Sequence, residues 1–252
     1  MKKIILFIML SLSFLSANDL PAYVAEFDKE LAIQLYNDQI RNGNKEADNY
    51  QALADLYGKT GKIGLAEDCY RHLIEIHNGS ENIYRSYLDF LYENGSYVKL
   101  RHIINNKDYQ KDWSRLLLAK SYFKEGKFDS SLAISKNLPE DLGGSLYRFS
   151  LDGAEIKNRS PILGGIMSAV IPGSGKIYAG RLMDGMQAFS VVLAPAYNAY
   201  YHFRKTGTTS VRAWIWTAVA SWFYLSDIYG SVKAVQEYNQ MQKLKIIERY
   251  EQ

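Results

Sequence analysis

Cysteine is the scarcest residue of the chain. The single Cys69 excludes an intramolecular disulfide and every paired-thiol zinc pattern. Histidine is almost as sparse, at His72, His77, His102 and His202, and the first two are five apart rather than the four that aligns two zinc ligands on one helical face. No metal site follows from them. An excess of one charge sign is also missing: 30 Lys and Arg stand against 27 Asp and Glu, and their scatter excludes the phosphate-neutralising surface of a nucleic-acid binder. Serines and carboxylates are plentiful, but no nucleophile, base and orienting group can be picked out, so no catalytic residue and no cofactor is assigned. Disorder is excluded by what is present, since 47% of the 252 residues are hydrophobic and 13% aromatic.

The near-neutral average conceals a division. Residues 18–152 carry 17 basic and 21 acidic groups, whereas 153–252 carry 11 and 6, which implies two environments. Ahead of both, Met1-Lys2-Lys3, the apolar run Ile4 to Leu15 and the small exit Ser16-Ala17 have the order of a secretory signal over residues 1–17. Leu15 lies three positions before the candidate cleavage point, so an uncleaved N-terminal anchor stays open. No cysteine is placed there for lipidation.

Residues 18–155 read as helical repeats. Tyr50, Leu53, Ala54, Tyr57, Gly61, Ala66 and Tyr70 mark two helices around a Lys59-Thr60-Gly61 turn. The spacing returns 34 positions later at Tyr84, Tyr87, Leu88, Leu91, Gly95, Leu100 and Ile104. Ala32, Tyr36 and Ile40 match the second helix of an earlier unit, and Leu118, Ala119, Tyr122 and Gly126 begin a later one. The segment resembles tetratricopeptide repeats, about three and a half units over residues 20–140. That resemblance implies a helical solenoid whose concave surface holds a protein or peptide. Pro139 and the Gly143-Gly144 pair interrupt the pattern, Tyr147 to Ile156 fits one more short helix, and the boundary is expected near 155.

Three apolar stretches dominate the C-terminal part of the chain: 162–180, 186–203 with Pro195, and 213–229 with Trp214, Trp216 and Trp222. Each approaches bilayer length, and their aromatics, basic links and small residues favour packed membrane helices over residues 156–231, with a buried soluble bundle as the alternative. Ser174-Gly175-Lys176-Ile177 fails the phosphate-loop pattern, because an isoleucine stands where the metal-binding hydroxyl belongs. A compact turn is the better reading. In it Pro172 ends the first helix, Gly173 and Gly175 allow close packing, Tyr178 anchors at the interface, and Asp184-Gly185 opens the next helix with Asp184 as N-cap.

Pro172-Gly173-Ser174-Gly175-Lys176-Ile177-Tyr178-Ala179-Gly180-Arg181 with Asp184-Gly185 resembles the Pro-Gly-x-Gly-x-x-Tyr-x-Gly signature of small, TM2-like bacterial membrane proteins. Tyr224 to Ser231, with Asp227, Tyr229 and Gly230, is similar to the end of that region in tetratricopeptide-bearing members. The resemblance implies no catalytic assignment. Asp227 is read as a structural pair for Arg181, Arg204 or Arg212, as a partner contact, or as a transport carboxylate. Residues 232–252, with Val232, Val235, Tyr238, Met241 and Leu244 at three-residue spacing, form a separate amphipathic C-terminal helix that lies on membrane or packs on the repeats. Charge leaves the number of spans and the side of the C-terminus open.

The expected fold is therefore all-α: a tetratricopeptide-like solenoid followed by a small helical membrane region. The expected function is a membrane-attached adaptor or scaffold that binds an envelope protein or peptide, with no nucleic acid. It is placed at the bacterial inner membrane with a periplasmic repeat domain, while outer-membrane association and a homo-oligomer or membrane complex stay open. The alternatives are a small transport or membrane-assembly component, or an enzyme built around Asp184 or Asp227.

Overall fold

The computed structural model describes residues 20–44, 47–76, 80–106 and 111–252. The expected signal over residues 1–17 and His77 lie outside the described residues. All regular structure described is helical, and the chain divides into two compact units after Tyr122.

In the first unit, α1 (Leu20–Ala25) and α2 (Lys29–Arg41) precede the hairpins α3 (Ala47–Lys59) with α4 (Ile63–Ile76) and α5 (Glu81–Glu93) with α6 (Tyr97–Asn106). Helix α7 (Asp112–Lys124) runs across the division. The two hairpin turns close identically. Gly61 and Gly95 take φ of 75° and 70°, a left-handed conformation that costs a Cβ-bearing residue about 1–2 kcal/mol. The following amides, Lys62 and Ser96, both donate to the carbonyl five residues back, at 2.8 Å. The 34-residue displacement is thus a repeated backbone motif.

Large side chains fill the space between these helices. Tyr70, Leu73, Leu88, Leu91 and Leu100 are almost wholly buried, while Ala32, Ala54 and Ala66 let the backbones approach. The Tyr70 ring lies 5.2 Å from both Tyr87 and Phe90, joining α4 to α5, and its hydroxyl donates to Asp55 at 3.2 Å. Burial first, then the Asp55 charge, raises the Tyr70 hydroxyl well above its ordinary pKa.

The second unit begins with the last turn of α7 and continues through α8 (Phe128–Ser135), α9 (Glu140–Ala154), α10 (Pro161–Val170), α11 (Ser174–Tyr178), α12 (Leu182–Thr206), a 3-10 turn at Gly207–Thr209 and α13 (Val211–Glu251). Gly143 and Gly144 do not loosen a connection but lie inside α9, which starts at Glu140 rather than near Tyr147. Their small size serves packing: a Cβ on Gly143 would meet Leu138 Cβ at 2.6 Å.

The helix end expected at Pro172 is present, and residues 162–180 fall into two helices rather than one. Ile171 is extended and Gly173 is left-handed at φ 83°, so the backbone turns between α10 and α11. Residues 232–252 are not a separate helix, since α13 runs unbroken through Gly230 and Ser231 for 41 residues. Its C-terminal end packs within this unit, with Tyr250 against Phe123 at 4.9 Å and Phe149 at 5.6 Å, and Arg249 paired with Asp152 at 3.7 Å. Among the described residues, no helix is long and apolar enough to cross a membrane.

Candidate functional site

The Pro-Gly motif forms the base on which α12 and α13 stand. A Cβ on Gly175 would collide with the Gly164 carbonyl and approach Ser231 Cβ to 2.7 Å. A Cβ on Gly185 would meet Ile177 Cγ1 at 2.5 Å, and one on Gly164 would meet Val235 at 2.7 Å. Glycine at these positions brings α10, α11 and the start of α12 within backbone contact of each other or of α13. Polar ties then fix the register: the Ser168 and Ser231 hydroxyls are 2.7 Å apart, and the Gly175 amide donates to Ser168 Oγ at 3.0 Å.

Asp227 occupies the centre of this base and is 4% exposed. The Gly173 amide donates to its Oδ2 at 2.6 Å, and the Lys176 ammonium lies 2.9 Å from Oδ1 in ion-pair contact without directional hydrogen-bond geometry. Its partner is therefore Lys176, not Arg181, Arg204 or Arg212. Arg181 instead pairs with Asp184 at 2.6 Å and Glu237 at 3.0 Å. Asp184 is the third residue of α12 and not its N-cap, a position held by Arg181 without a side-chain cap. There Asp184 still complements the positive end of the helix dipole.

The remaining predicted positions fall around this centre. Pro172 is half-buried in the turn, Gly180 closes α11 at φ 82°, and Gly230 faces the Lys176 stem. Tyr178 offers its carbonyl to the Arg159 guanidinium, which also lies 4.0 Å from the Tyr238 ring centroid. Asn239 closes the same corner with reciprocal bonds to the Arg159 backbone at 2.9 and 2.8 Å. Tyr229 points away and is exposed. Sequence reasoning did not single out Lys176, Ser168, Ser231 or Arg159 for these contacts, because each depends on a partner far along the chain.

A cavity of ≈ 360 Å³ opens beside the ion pair, lined by Lys176, Arg181, Asp184, Gln187, Phe223 and Asp227. Its charged groups are already paired with one another. Among the described residues, no three His, Cys, Asp or Glu side chains assemble to hold a metal.

Above the base the usual distribution of side chains is inverted. Helix α12 buries Gly185, Ala188, Val192, Pro195 and Ala199 on the stripe beside α13. The large residues Met183, Phe189, Tyr197, Trp214, Trp222 and Leu225 face outward, and Met183 and Trp222 are more than 70% exposed. Ile162, Ile166 and Val170 extend the exposed apolar surface onto α10. Such a surface greatly exceeds the scattered apolar residues of an ordinary water-facing helix.

The first unit carries a separate groove of ≈ 610 Å³ between α3 and α5, lined by Gln51, Asp55, Tyr70, Ser86, Asp89 and Glu93. Burial raises the Asp89 carboxyl above its ordinary value against the opposing pull of Arg85 and Lys120. No protein-family model matches the chain, and neither a curated protein nor a solved structure matches it.

Proposed function

We propose that the protein is a membrane-attached adaptor of the bacterial envelope, in which the helical repeats hold a protein or peptide and the α12–α13 hairpin associates with the inner membrane. The observation that carries this reading is the inverted hairpin, with small residues between its helices and Trp, Tyr, Phe, Leu and Met outside. In water that arrangement forgoes the hydrophobic gain of packing large side chains together. In lipid it is favourable, since small interfaces allow close backbone approach while large side chains meet acyl chains. The groove between α3 and α5 supports the binding role, because it offers amides, hydroxyls and carboxylates on a rigid helical frame.

The test uses the full chain in bacterial cells, with a photo-crosslinking residue at Ser86 or Glu93 in the groove and at Glu75 outside it. Membrane fractionation should place the chain with the inner membrane. Ser86 and Glu93 should give a discrete protein adduct that Glu75 does not. Recovery in the soluble fraction refutes the attachment, and absence of a groove-specific adduct refutes the adaptor role.

A further inference from the structure

The tip of the α12–α13 hairpin has a charge pattern that the adaptor reading leaves unused. Between Asp184 and Asp227 the chain contains no acidic residue, yet Arg204, Lys205 and Arg212 project from the tip, all exposed and without an ion-pair partner among the described residues. Arg204 and Lys205 end α12, where a cation complements the helix dipole. Arg212 stands in the first turn of α13, where it adds to the positive end of the dipole and no acidic side chain offsets it. An external anion would relieve this. The tip is held in shape by Trp214, whose indole donates to the Thr208 carbonyl at 3.0 Å and packs edge-on against Phe203 at 5.4 Å. Aromatic side chains beside clustered cations are the composition of a membrane–water interface.

We propose that Arg204, Lys205 and Arg212 form a contact site for the phosphate-bearing headgroups of anionic phospholipids, an inference that rests on the membrane attachment above. The occupant is lipid because the cations continue directly into the outward apolar surface of the same two helices, so one ligand with an anionic head and an acyl tail meets both. Three cations near an anionic bilayer raise partitioning on the order of 100-fold at low salt. High salt removes most of that gain.

The full chain, purified in mild detergent, is diluted into vesicles of phosphatidylcholine with or without phosphatidylglycerol and floated at low and high salt. The wild type should partition on the order of 100-fold better when phosphatidylglycerol is present at low salt. The variant Arg204→Gln/Lys205→Gln/Arg212→Gln, with an unchanged helical circular dichroism spectrum, should float on phosphatidylcholine as the wild type does and lose the phosphatidylglycerol gain. The control Lys233→Gln/Lys245→Gln should keep it. Equal flotation on both vesicles, or a triple variant that retains the gain, overturns the headgroup site while leaving membrane attachment intact. Failure to float on either, with self-association in its place, overturns both and makes the apolar surface an interface between copies.

Discussion

Replacing Lys176 by methionine should destabilise the second unit far more than replacing Asp227 by asparagine, although both substitutions break the same ion pair. The Asp227 side chain is 3% exposed and that of Lys176 22%, so the two charges are stranded differently. Lys176→Met leaves a nearly inaccessible carboxylate with a single amide donor, and loss of one partner from a buried pair costs about 3–5 kcal/mol. Asp227→Asn keeps an oxygen for the Gly173 amide, and the freed ammonium can extend along its stem into water, so a cost of about 1–2 kcal/mol is expected. A double replacement, Lys176→Met/Asp227→Leu, removes both charges but orphans the Gly173 amide. Its cost should therefore fall below that of Lys176→Met alone, by roughly 1–2 kcal/mol. Tryptophan fluorescence during urea titration in micelles reads this unit selectively, because Trp214, Trp216 and Trp222 belong to it and Trp113 can be replaced by phenylalanine. Equal costs for Lys176→Met and Asp227→Asn, or a cost below about 1 kcal/mol for the former, would refute the reasoning that Lys176→Met strands a buried charge.

Three further outcomes are expected. Gly175→Ala, whose Cβ would strike the Gly164 carbonyl, should cost about 3 kcal/mol or more in the same titration, whereas Gly64→Ala, with open space around the added methyl on α4, should stabilise by about 0.5 kcal/mol. Asp89 has a raised pKa through burial, so its stabilising contribution is present below the unfolded-state carboxylate value and disappears as pH rises through the folded one. Asp89→Asn should therefore raise stability near neutral pH by roughly 0.5 kcal/mol, a figure kept small because Asp89 is only partly buried and solvent screens its charge, and the gain should vanish in acid when thermal unfolding is followed by circular dichroism. Cys69, whose thiol burial and the Asp68 charge push up to about 11, should react with iodoacetamide on the order of 100-fold more slowly in the native chain than in urea; comparable rates would place the thiol at the surface.

The hairpin turns were legible because Gly61 and Gly95 combine a 34-residue displacement with a local need for positive φ, and both signals sit within a few residues of sequence. The break at Ile171-Pro172-Gly173 was legible for a similar local reason, since Pro172 ends a helix and Gly173 suits a turn, while the separation into a 10-residue and a 5-residue helix depends on the backbone states of Ile171 and Gly173. The continuity of α13 through Gly230-Ser231 was less legible: the three-residue spacing from Val232 to Leu244 set residues 232–252 apart, whereas the contacts of Ser231 with Ser168 and of Gly230 with Lys176 depend on residues far along the chain. For Asp227 the chemistry was visible, a costly carboxylate in an apolar setting, but the partner was not. Several cations were available, and nothing in their spacing favoured Lys176 over the arginines.

The two units meet the same thermodynamic requirement by opposite arrangements of side-chain size. Tyr70, Leu88, Leu91 and Leu100 provide the first unit with an ordinary core, each large side chain contributing about 1.5–3 kcal/mol when removed from water. The hairpin leaves Met183, Phe189, Tyr197, Trp214, Trp222 and Leu225 outside. At the same rate their exposure forgoes roughly 10 kcal/mol, as much as the entire net stability of a typical domain. Small-residue contacts between α12 and α13 cannot replace that. The specific ties lie instead at the base, where Asp227, Ser168, Ser231 and the glycines fix one end of the hairpin by hydrogen bonds and backbone contact. Such ties define geometry strongly and add little net free energy in water. In the attachment proposed above, lipid supplies the contacts that a hairpin oriented from one end and apolar along its outer surface forgoes in water, and the Pro-Gly base sets the direction in which that surface is presented.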